Sequence, residues 1–550
     1  MNLNKIDMSN NIPMKIYILF LLFFLLFNDI YSQSWKNYPY IPENSLISFP
    51  KDEGRHINEP TEWWYVFSHL KGEETGNDYT VMLTFFYRDT LSFDGLRIFN
   101  ITNETTGDFF PNASPVIYIV NSEEHLEIKA NLFTHTETWT TKTDNQGILI
   151  PFQYNLKAHS PSTAIDLDMN VIKKPLILAD TGFLYQGINN YTYYYSFTGM
   201  EISGSITIPG ITENVSGTGW FDKQYGNFHP EVGEKYEWFS IQLSNGMDIN
   251  TWNIFTTDNL LPDSSIYKSF NCYINDSSFH NTSNFKIEHL GYFYSPDSSR
   301  IYGRKFRIVE ELLKMNLIIE IQNPNCEPQI PFPFYEGPIK IEGLVNGKHV
   351  DGKGFAELLH IYEFPDIEII APSEGWDFNT PVKWTLHNYD EGRPLAYNIL
   401  TQKEGIGEYI PLITGLTDTF YNLKVDDLAY DTLYRFMITA YSVDTFLVDT
   451  VYTNEVFKPN AINNINNKLD LIISPNPFDN EILISTNNNH LKRGTNILLI
   501  TEEGKKVYSK SIYEKLTKIR INTSDFKKGI YILVVTKGNS IYIKKLIKIN

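Results

Sequence analysis

Tyr79-Thr80-Val81-Met82-Leu83-Thr84-Phe85-Phe86-Tyr87 is the stretch whose reading decides the fold. Aromatic and β-branched residues fill it, and no Gly, Pro, Asn or Asp interrupts it. That is the composition of a long β-strand. Tyr191 to Phe197 repeats the pattern. Between such runs lie Gly, Asn, Asp and Pro, the residues that turn a chain. Lys223-Gln224-Tyr225-Gly226-Asn227 reads as one such sharp turn or loop. Helical periodicity is scarce, so the chain reads as all-β.

Composition sets the bounds. A chain of 550 residues exceeds what one core supports, so three or four domains are expected. Hydrophobic residues are 42% and aromatic residues 15%, which argues for packed cores and against disorder. The net charge of −19 excludes a nucleic-acid partner, since phosphate binding needs a basic face. The charge is uneven. From Asp470 onward there are 14 Lys/Arg against 7 Asp/Glu, a balance of +7, which leaves −26 for the preceding residues. Either a docking surface for acidic machinery or a solvated lysine-rich face accounts for the basic end.

The first 32 residues read as a signal peptide. Lys15 is its positive end, Ile16 to Phe27 its apolar core, and Ile30-Tyr31-Ser32 its cleavage site before Gln33. No other stretch approaches membrane-span length, so no transmembrane span is expected in the mature protein. Cys272 and Cys326 are the two cysteines. Export allows a disulfide between them, and two buried thiols are the other reading. No Cys/His spacing suits zinc, and no cofactor is implied.

The last residues carry several motifs in order. Ser474-Pro475-Asn476-Pro477-Phe478 opens the segment and Gly504-Lys505-Lys506-Val507 turns it. Gly529-Ile530-Tyr531-Ile532-Leu533 and Lys544-Lys545-Leu546-Ile547-Lys548 close it. Residues 470–550 resemble the C-terminal sorting domain of the type IX secretion system of Bacteroidetes. The resemblance implies export across an outer membrane, to the cell surface or beyond, with the secretion machinery as partner. Upstream, Val382-Lys383-Trp384-Thr385-Leu386 alternates like a strand with an inward Trp. Leu428 is followed six residues later by Tyr434. That spacing resembles the tyrosine corner of fibronectin type III sandwiches and implies a spacer module over 365–458. The Asn-rich residues 459–469 read as a linker.

Familiar catalytic patterns are missing. There is no Gly-x-Ser-x-Gly elbow, no His-Glu-x-x-His helix and no phosphate-cradling loop. Three aromatic-acidic clusters remain. One runs from Phe49-Pro50-Lys51-Asp52-Glu53-Gly54-Arg55-His56 to Glu62-Trp63-Trp64-Tyr65. The second is Gly217-Thr218-Gly219-Trp220-Phe221-Asp222-Lys223-Gln224-Tyr225-Gly226, and the third Gly352-Lys353-Gly354-Phe355-Ala356-Glu357. Glu237-Trp238-Phe239-Ser240 also repeats Glu62-Trp63-Trp64-Tyr65 at an offset of 175 residues. Together the clusters resemble the lipocalin-like family that includes carotenoid 1,2-hydratase and the AttH proteins, over residues 45–364.

The resemblance implies two tandem lipocalin-like β-barrels, residues 33–205 and 206–364, and in some members chemistry on an apolar substrate. With the sandwich and a small C-terminal β-sandwich, the expected class is all-β throughout. In the hydratase the acid lies in an aromatic-x-Asp pattern, which Trp220-Phe221-Asp222 matches. The hydratase also uses a His and a Trp two residues apart upstream. This chain has Tyr193-Tyr194-Tyr195-Ser196 there, a departure from that pattern.

Hydrating an alkene needs a proton delivered to carbon, and a carboxylic acid kept neutral by an apolar pocket can deliver it. Aromatic faces stabilise the cation that results. On this reading Asp222 is the general acid and Glu62 or Glu357 a second acid/base. Trp63, Trp64, Tyr65, Tyr195, Trp220, Tyr225 and Trp238 line the site. Plainer readings stand beside each. Asp222 can cap a turn and Glu62 can sit in a salt bridge. Glu357 faces a lumen or the solvent. His56 reads as a loop residue. Trp63 and Trp64 must point opposite ways, because side chains alternate along a strand. The expected function is binding of an apolar or isoprenoid-like small molecule, with hydration or isomerisation as the enzymatic version, a cofactor-free lyase or isomerase. The rivals are a non-catalytic lipid-binding or surface-interaction protein and an extracellular polymer hydrolase.

Overall fold

The computed structural model describes residues 35–550 except 89–91, 229–232, 373–380, 388–394, 425, 431, 443–444, 447, 459–470, 487–490, 492–493 and 538–539. The expected signal peptide and the expected linker lie outside the described residues. Among the described residues there are 36 strands and no α-helix, apart from a 3₁₀ turn at Lys51–Glu53. The all-β reading holds.

The chain separates into two compact units, divided at Glu363/Phe364. The first unit begins with β1 (Thr61–Gly72), β2 (Asp78–Arg88), β3 (Gly95–Asn103), β4 (Asp108–Asn121), β5 (Glu127–Asn131), β6 (Thr136–Thr143), β7 (Leu149–His159) and β8 (Ala164–Val171). Two short strands follow, β9 (Leu176–Ile177) and β10 (Phe183–Tyr185), then the long pair β11 (Tyr191–Ile208) and β12 (Ile211–Gly226). Each strand from β1 to β8 pairs antiparallel with the next. β12 pairs β1, and β11 pairs both β12 and β8, which closes a ten-stranded barrel. The first lobe therefore runs through Gly226, past the division at 205/206 expected from the sequence. β12 is the return arm of a hairpin and cannot leave the sheet of its partner.

The barrel is packed solid. Trp64, Leu83, Phe85, Trp139, Tyr154, Tyr195, Phe197 and Phe221 point inward and are buried. Strand alternation sends their neighbours outward. On β2 this leaves Tyr79, Val81, Leu83 and Phe85 in the barrel core, while Met82 packs in a separate outer cluster with Phe86 partly buried against it. The stretch that reads as continuously apolar is thus covered on both faces.

The second lobe is β13 (Lys235–Leu243), β14 (Asp248–Phe255), β15 (Lys268–Asn275), β16 (Ser278–Thr282), β17 (Lys286–Tyr294), β18 (Ile301–Glu310), β19 (Met315–Ile321), β20 (Tyr335–Val345) and β21 (Lys348–Leu358). Its nine strands lie in the order β16-β15-β14-β13-β21-β20-β19-β18-β17. The end strands β16 and β17 do not pair, so this lobe is a half-barrel where the sequence suggested a second closed barrel. One face holds its own core, including Phe239, Phe306 and Tyr335. The other packs on the outer face of the first barrel. Phe67 stacks on Phe355 at 5.0 Å, Tyr194 on Trp252 at 5.8 Å, and Tyr65 meets Trp238 edge-on at 5.8 Å. Such pairs add to the burial of their surface and fix how the sheets sit together.

In the second unit, a three-stranded sheet (Asp366–Ala371, Val382–His387, Phe420–Tyr421) and a five-stranded sheet built on Leu395–Lys403 and Thr432–Ser442 share a core. Trp384 packs edge-on against Tyr397, and the Tyr434 hydroxyl accepts the Ala429 N–H at 2.8 Å. Beyond residue 470, sheets of three and four strands enclose a core containing Phe478, Tyr531 and Leu546.

Candidate functional site

β1 and β12 lie side by side, with Tyr65 opposite Asp222 and Trp63 opposite Gln224. Residues directly opposite in an antiparallel pair point to the same face. These four face outward, away from the barrel core and toward the second lobe. There β13 places Trp238 opposite Glu357 of β21, and Glu336 of β20 lies opposite Glu357 on its other side. Between the two sheets is a cavity of about 370 Å³, within the size range of small-molecule sites. Its walls are largely aromatic: Trp63, Tyr65, Phe86, Tyr194, Tyr236, Trp238, Trp252 and Phe334. Three carboxyl groups, Asp222, Glu336 and Glu357, also line it.

The glycines ahead of the acids have a physical role. A Cβ on Gly217 would lie 2.0 Å from the His69 carbonyl oxygen, and one on its counterpart Gly352 2.6 Å from that of Gln242. Gly-x-Gly-aromatic-x-acid is therefore the same device in both lobes. The strand approaches its neighbour closely, then presents a carboxyl to the cavity.

Asp222 is held on three sides. Tyr194 Oη donates to Oδ2 at 2.7 Å, Ser196 Oγ to Oδ1 at 2.5 Å, and Trp220 Nε1 to Oδ1 at 2.7 Å. Asn250 Nδ2 donates to both the Tyr194 and Ser196 hydroxyls, and Trp238 Nε1 donates to Asn250 Oδ1 at 3.2 Å. Burial pushes Asp222 up to about 7, against the lowering effect of these donors. Burial also pushes Glu357 up to about 7; its Oε1 accepts the Tyr236 hydroxyl at 2.5 Å. Glu336 is raised well above the usual carboxylate range by burial and by Glu357 beside it. Carboxyls tuned in this way are suited to give or take protons near neutral pH.

The AttH-like family model matches residues 40–361, more than half of the chain. The chain belongs to the AttH-like family. A second model, the secretion system C-terminal sorting domain, matches residues 473–550. This AttH-like protein is therefore marked for type IX secretion, to the cell surface or outside the cell. No helix among the described residues is long and apolar enough to cross a membrane. No curated protein matches the chain. Solved structures with a similar fold include a protein of Nitrosomonas europaea described as an AttH, with 19% identity and a TM-score of 0.48, covering 58% of this chain and 99% of its own. Kievitone hydratase from Nectria haematococca shows 14% identity and a TM-score of 0.47, covering 60% and 99%.

Of the residues singled out in the sequence, the AttH-like cavity gathers Asp222, Glu357, Trp63, Tyr65 and Trp238, with Trp220 bound to Asp222 from behind. Glu62, Trp64, Tyr195 and Tyr225 belong instead to the barrel interior, because they fall on the opposite phase of their strands. Glu62 is fully buried in an ion cluster. Arg55 Nη1 donates to its Oε2 at 2.7 Å, His56 Nδ1 lies 2.7 Å from Oε1, and Lys223 Nζ bonds the same oxygen. Burial alone would raise Glu62, but Lys223, His56 and Arg55 outweigh it and hold it at about 2. A carboxylate so paired is no acid/base for the cavity. Lys223 lies over the Trp64 ring at 3.8 Å, and the His56 ring stacks on Tyr225 at 3.5 Å. The Tyr195 hydroxyl donates to the Asp52 carbonyl at 3.3 Å. Cys272 and Cys326 are buried free thiols, in place of the disulfide that the pair allows.

The sequence reading missed Glu336, Tyr194, Ser196, Tyr236 and Asn250. The period of two puts Tyr194 and Ser196 on one face, but a bulge between Phe197 and Met200 shifts the β11/β12 register, and only that shift sets Ser196 opposite Asp222. A signal for Glu336 was present but unused: Asn346-Gly347 is a two-residue hairpin turn, and its register carries back along β20 and β21 to set Glu336 opposite Glu357.

Proposed function

We propose that this secreted AttH-like protein binds an apolar small molecule between its two lobes and transfers a proton to it from Asp222. The observation that carries this reading is a buried carboxyl, held by Tyr194, Ser196 and Trp220, at the wall of an aromatic cavity. Below about pH 7 Asp222 keeps a proton, because ionising in an apolar site is costly. Delivered to an alkene carbon, that proton leaves a cation on the adjacent carbon and a carboxylate on Asp222. Addition of water to that cation, with the proton it sheds returning to the Asp222 carboxylate, completes a hydration. Loss of a neighbouring proton back to Asp222 completes an isomerisation. Aromatic faces around the cavity favour the cation. In this account the sandwich over 365–458 is a fibronectin type III-like spacer between the cavity-bearing lobes and the sorting domain.

The test is mass spectrometry of small molecules retained by the wild type and by Asp222→Asn after incubation with apolar extract of the source organism. A molecule held unchanged by the variant and converted by the wild type, with the mass of water added or with a shifted double bond, supports the enzymatic reading. The same unchanged molecule on both proteins identifies a carrier instead.

A further inference from the structure

Glu336 and Glu357 stand opposite each other on adjacent strands, both turned into the cavity, Glu336 buried and Glu357 partly buried. Opposite residues of an antiparallel pair have Cβ atoms about 5 Å apart, so two carboxylates there repel strongly unless something positive or a proton lies between them. Glu336 is 2% exposed, and its Oε2 has no hydrogen-bond partner. The buried Tyr65 hydroxyl lies close enough to act on Glu336 as a donor, but not in normal hydrogen-bond geometry. Tyr65, Tyr236, Trp238 and Trp252 line the same cavity, the Tyr236 hydroxyl bonded to Glu357. Among the residues that line the cavity, Arg88 is the one Lys or Arg.

Paired acids, an unfilled acceptor oxygen and aromatic walls together match one chemistry. Carboxylates attract a cation, ring faces attract it through their quadrupoles, and its N–H groups fill the open oxygen. We infer that the second-lobe wall of the cavity recognises a protonated nitrogen on an otherwise apolar ligand, held by Glu336 and Glu357. This rests on the cavity being the ligand site, and it narrows the ligand class from apolar molecules to apolar amines. Asp222 on the facing wall then meets the apolar part of the same molecule.

The pair's protonation governs the affinity. The titratable groups facing the pair are Tyr65 on β1, Asp222 on β12, whose charge also raises Glu357, and Tyr236 on β13. Behind Glu336 lie Cys326 and Tyr335. The tyrosines and the cysteine are all raised above their usual range, so they stay neutral as the acids titrate. A cation therefore binds the ionised pair and is released as pH falls and the acids take up protons.

Isothermal titration calorimetry of the full chain with decylamine, a cation at neutral pH, and with 1-decanol, uncharged and of equal length, tests this. The expected result is binding of the amine at least about tenfold tighter than the alcohol near pH 8, as charge-assisted contacts require. That preference should shrink as pH falls and the pair takes up protons, and be lost in Glu336→Gln. Equal affinity for the two probes, or a preference unchanged by both pH and Glu336→Gln, overturns the amine inference and leaves the cavity as a ligand site. Binding of neither probe overturns both. Should Glu336→Gln fail to fold, the pH dependence of the wild type decides alone.

Discussion

Glu62 and Asp222 lie on adjacent strands of one barrel wall, yet the two faces of that wall treat a buried carboxyl in opposite ways. Inside, Glu62 meets Arg55, His56 and Lys223 and is held ionised at about 2. Outside, Asp222 meets two hydroxyls and an indole N–H, with no cation bonded to it, and burial lifts it to about 7. The difference teaches that burial alone does not make a reactive acid. The charge that accompanies burial decides whether a carboxyl holds structure together or holds a proton.

The largest expected effect on function breaks the outer face. Asp222→Asn should lower turnover about 10²- to 10⁴-fold, the usual contribution of a positioned general acid, while thermal unfolding stays cooperative. Product formation by mass spectrometry and a melting curve check both halves. If turnover persists, Asp222 belongs with Glu62 as a structural group and the contrast fails.

On the inner face the expected loss is stability. Glu62→Gln leaves Lys223 buried without its carboxylate and should destabilise the first unit by roughly 3–5 kcal/mol, read from denaturant unfolding. Ligand binding by the protein that remains folded should be unchanged, since Glu62 does not line the cavity.

The adjacent tryptophans sharpen the same contrast. Trp64→Ala empties the barrel core and should cost roughly 3–5 kcal/mol. Trp63→Ala widens the cavity, so it should weaken ligand affinity while costing less stability than Trp64→Ala. Calorimetry and melting curves on the two variants separate the effects.

The smallest expected effect is in the pH profile of stability. Asp222 has a folded value raised above the unfolded one, so its contribution is complete below about pH 4 and is lost as pH rises through about 7. Glu62 works the other way: its contribution is present above about pH 4 and is lost as pH falls through about 2. Asp222→Asn should therefore gain stability relative to the wild type between about pH 4 and pH 8, and Glu62→Gln should lose the steep acid limb. Unfolding midpoints across pH compare them.

The sequence by itself determined that the chain is all-β, that its end is a sorting domain, and that Asp222 and Glu357 follow a glycine-rich approach and an aromatic residue. These are local properties: turn chemistry, β-branched and aromatic runs, and motif spacing. Alternation also separated Trp63 from Trp64, because a strand has a period of two wherever it lies. Which phase faces a ligand was not local. Glu62, Trp64, Tyr195 and Tyr225 look as suitable as Trp63, Tyr65, Trp238 and Asp222 until the barrel closes and fills its own interior. The half-barrel, and the cavity between two outer faces where the family resemblance suggested a lumen, arose from strand pairings more than 100 residues apart. Glu336 stands between the two cases. The Asn346-Gly347 turn fixes its place opposite Glu357, but only the packing of the two lobes makes that face a cavity wall. A strand's own residues decide what alternates, and its neighbours decide which side is inside.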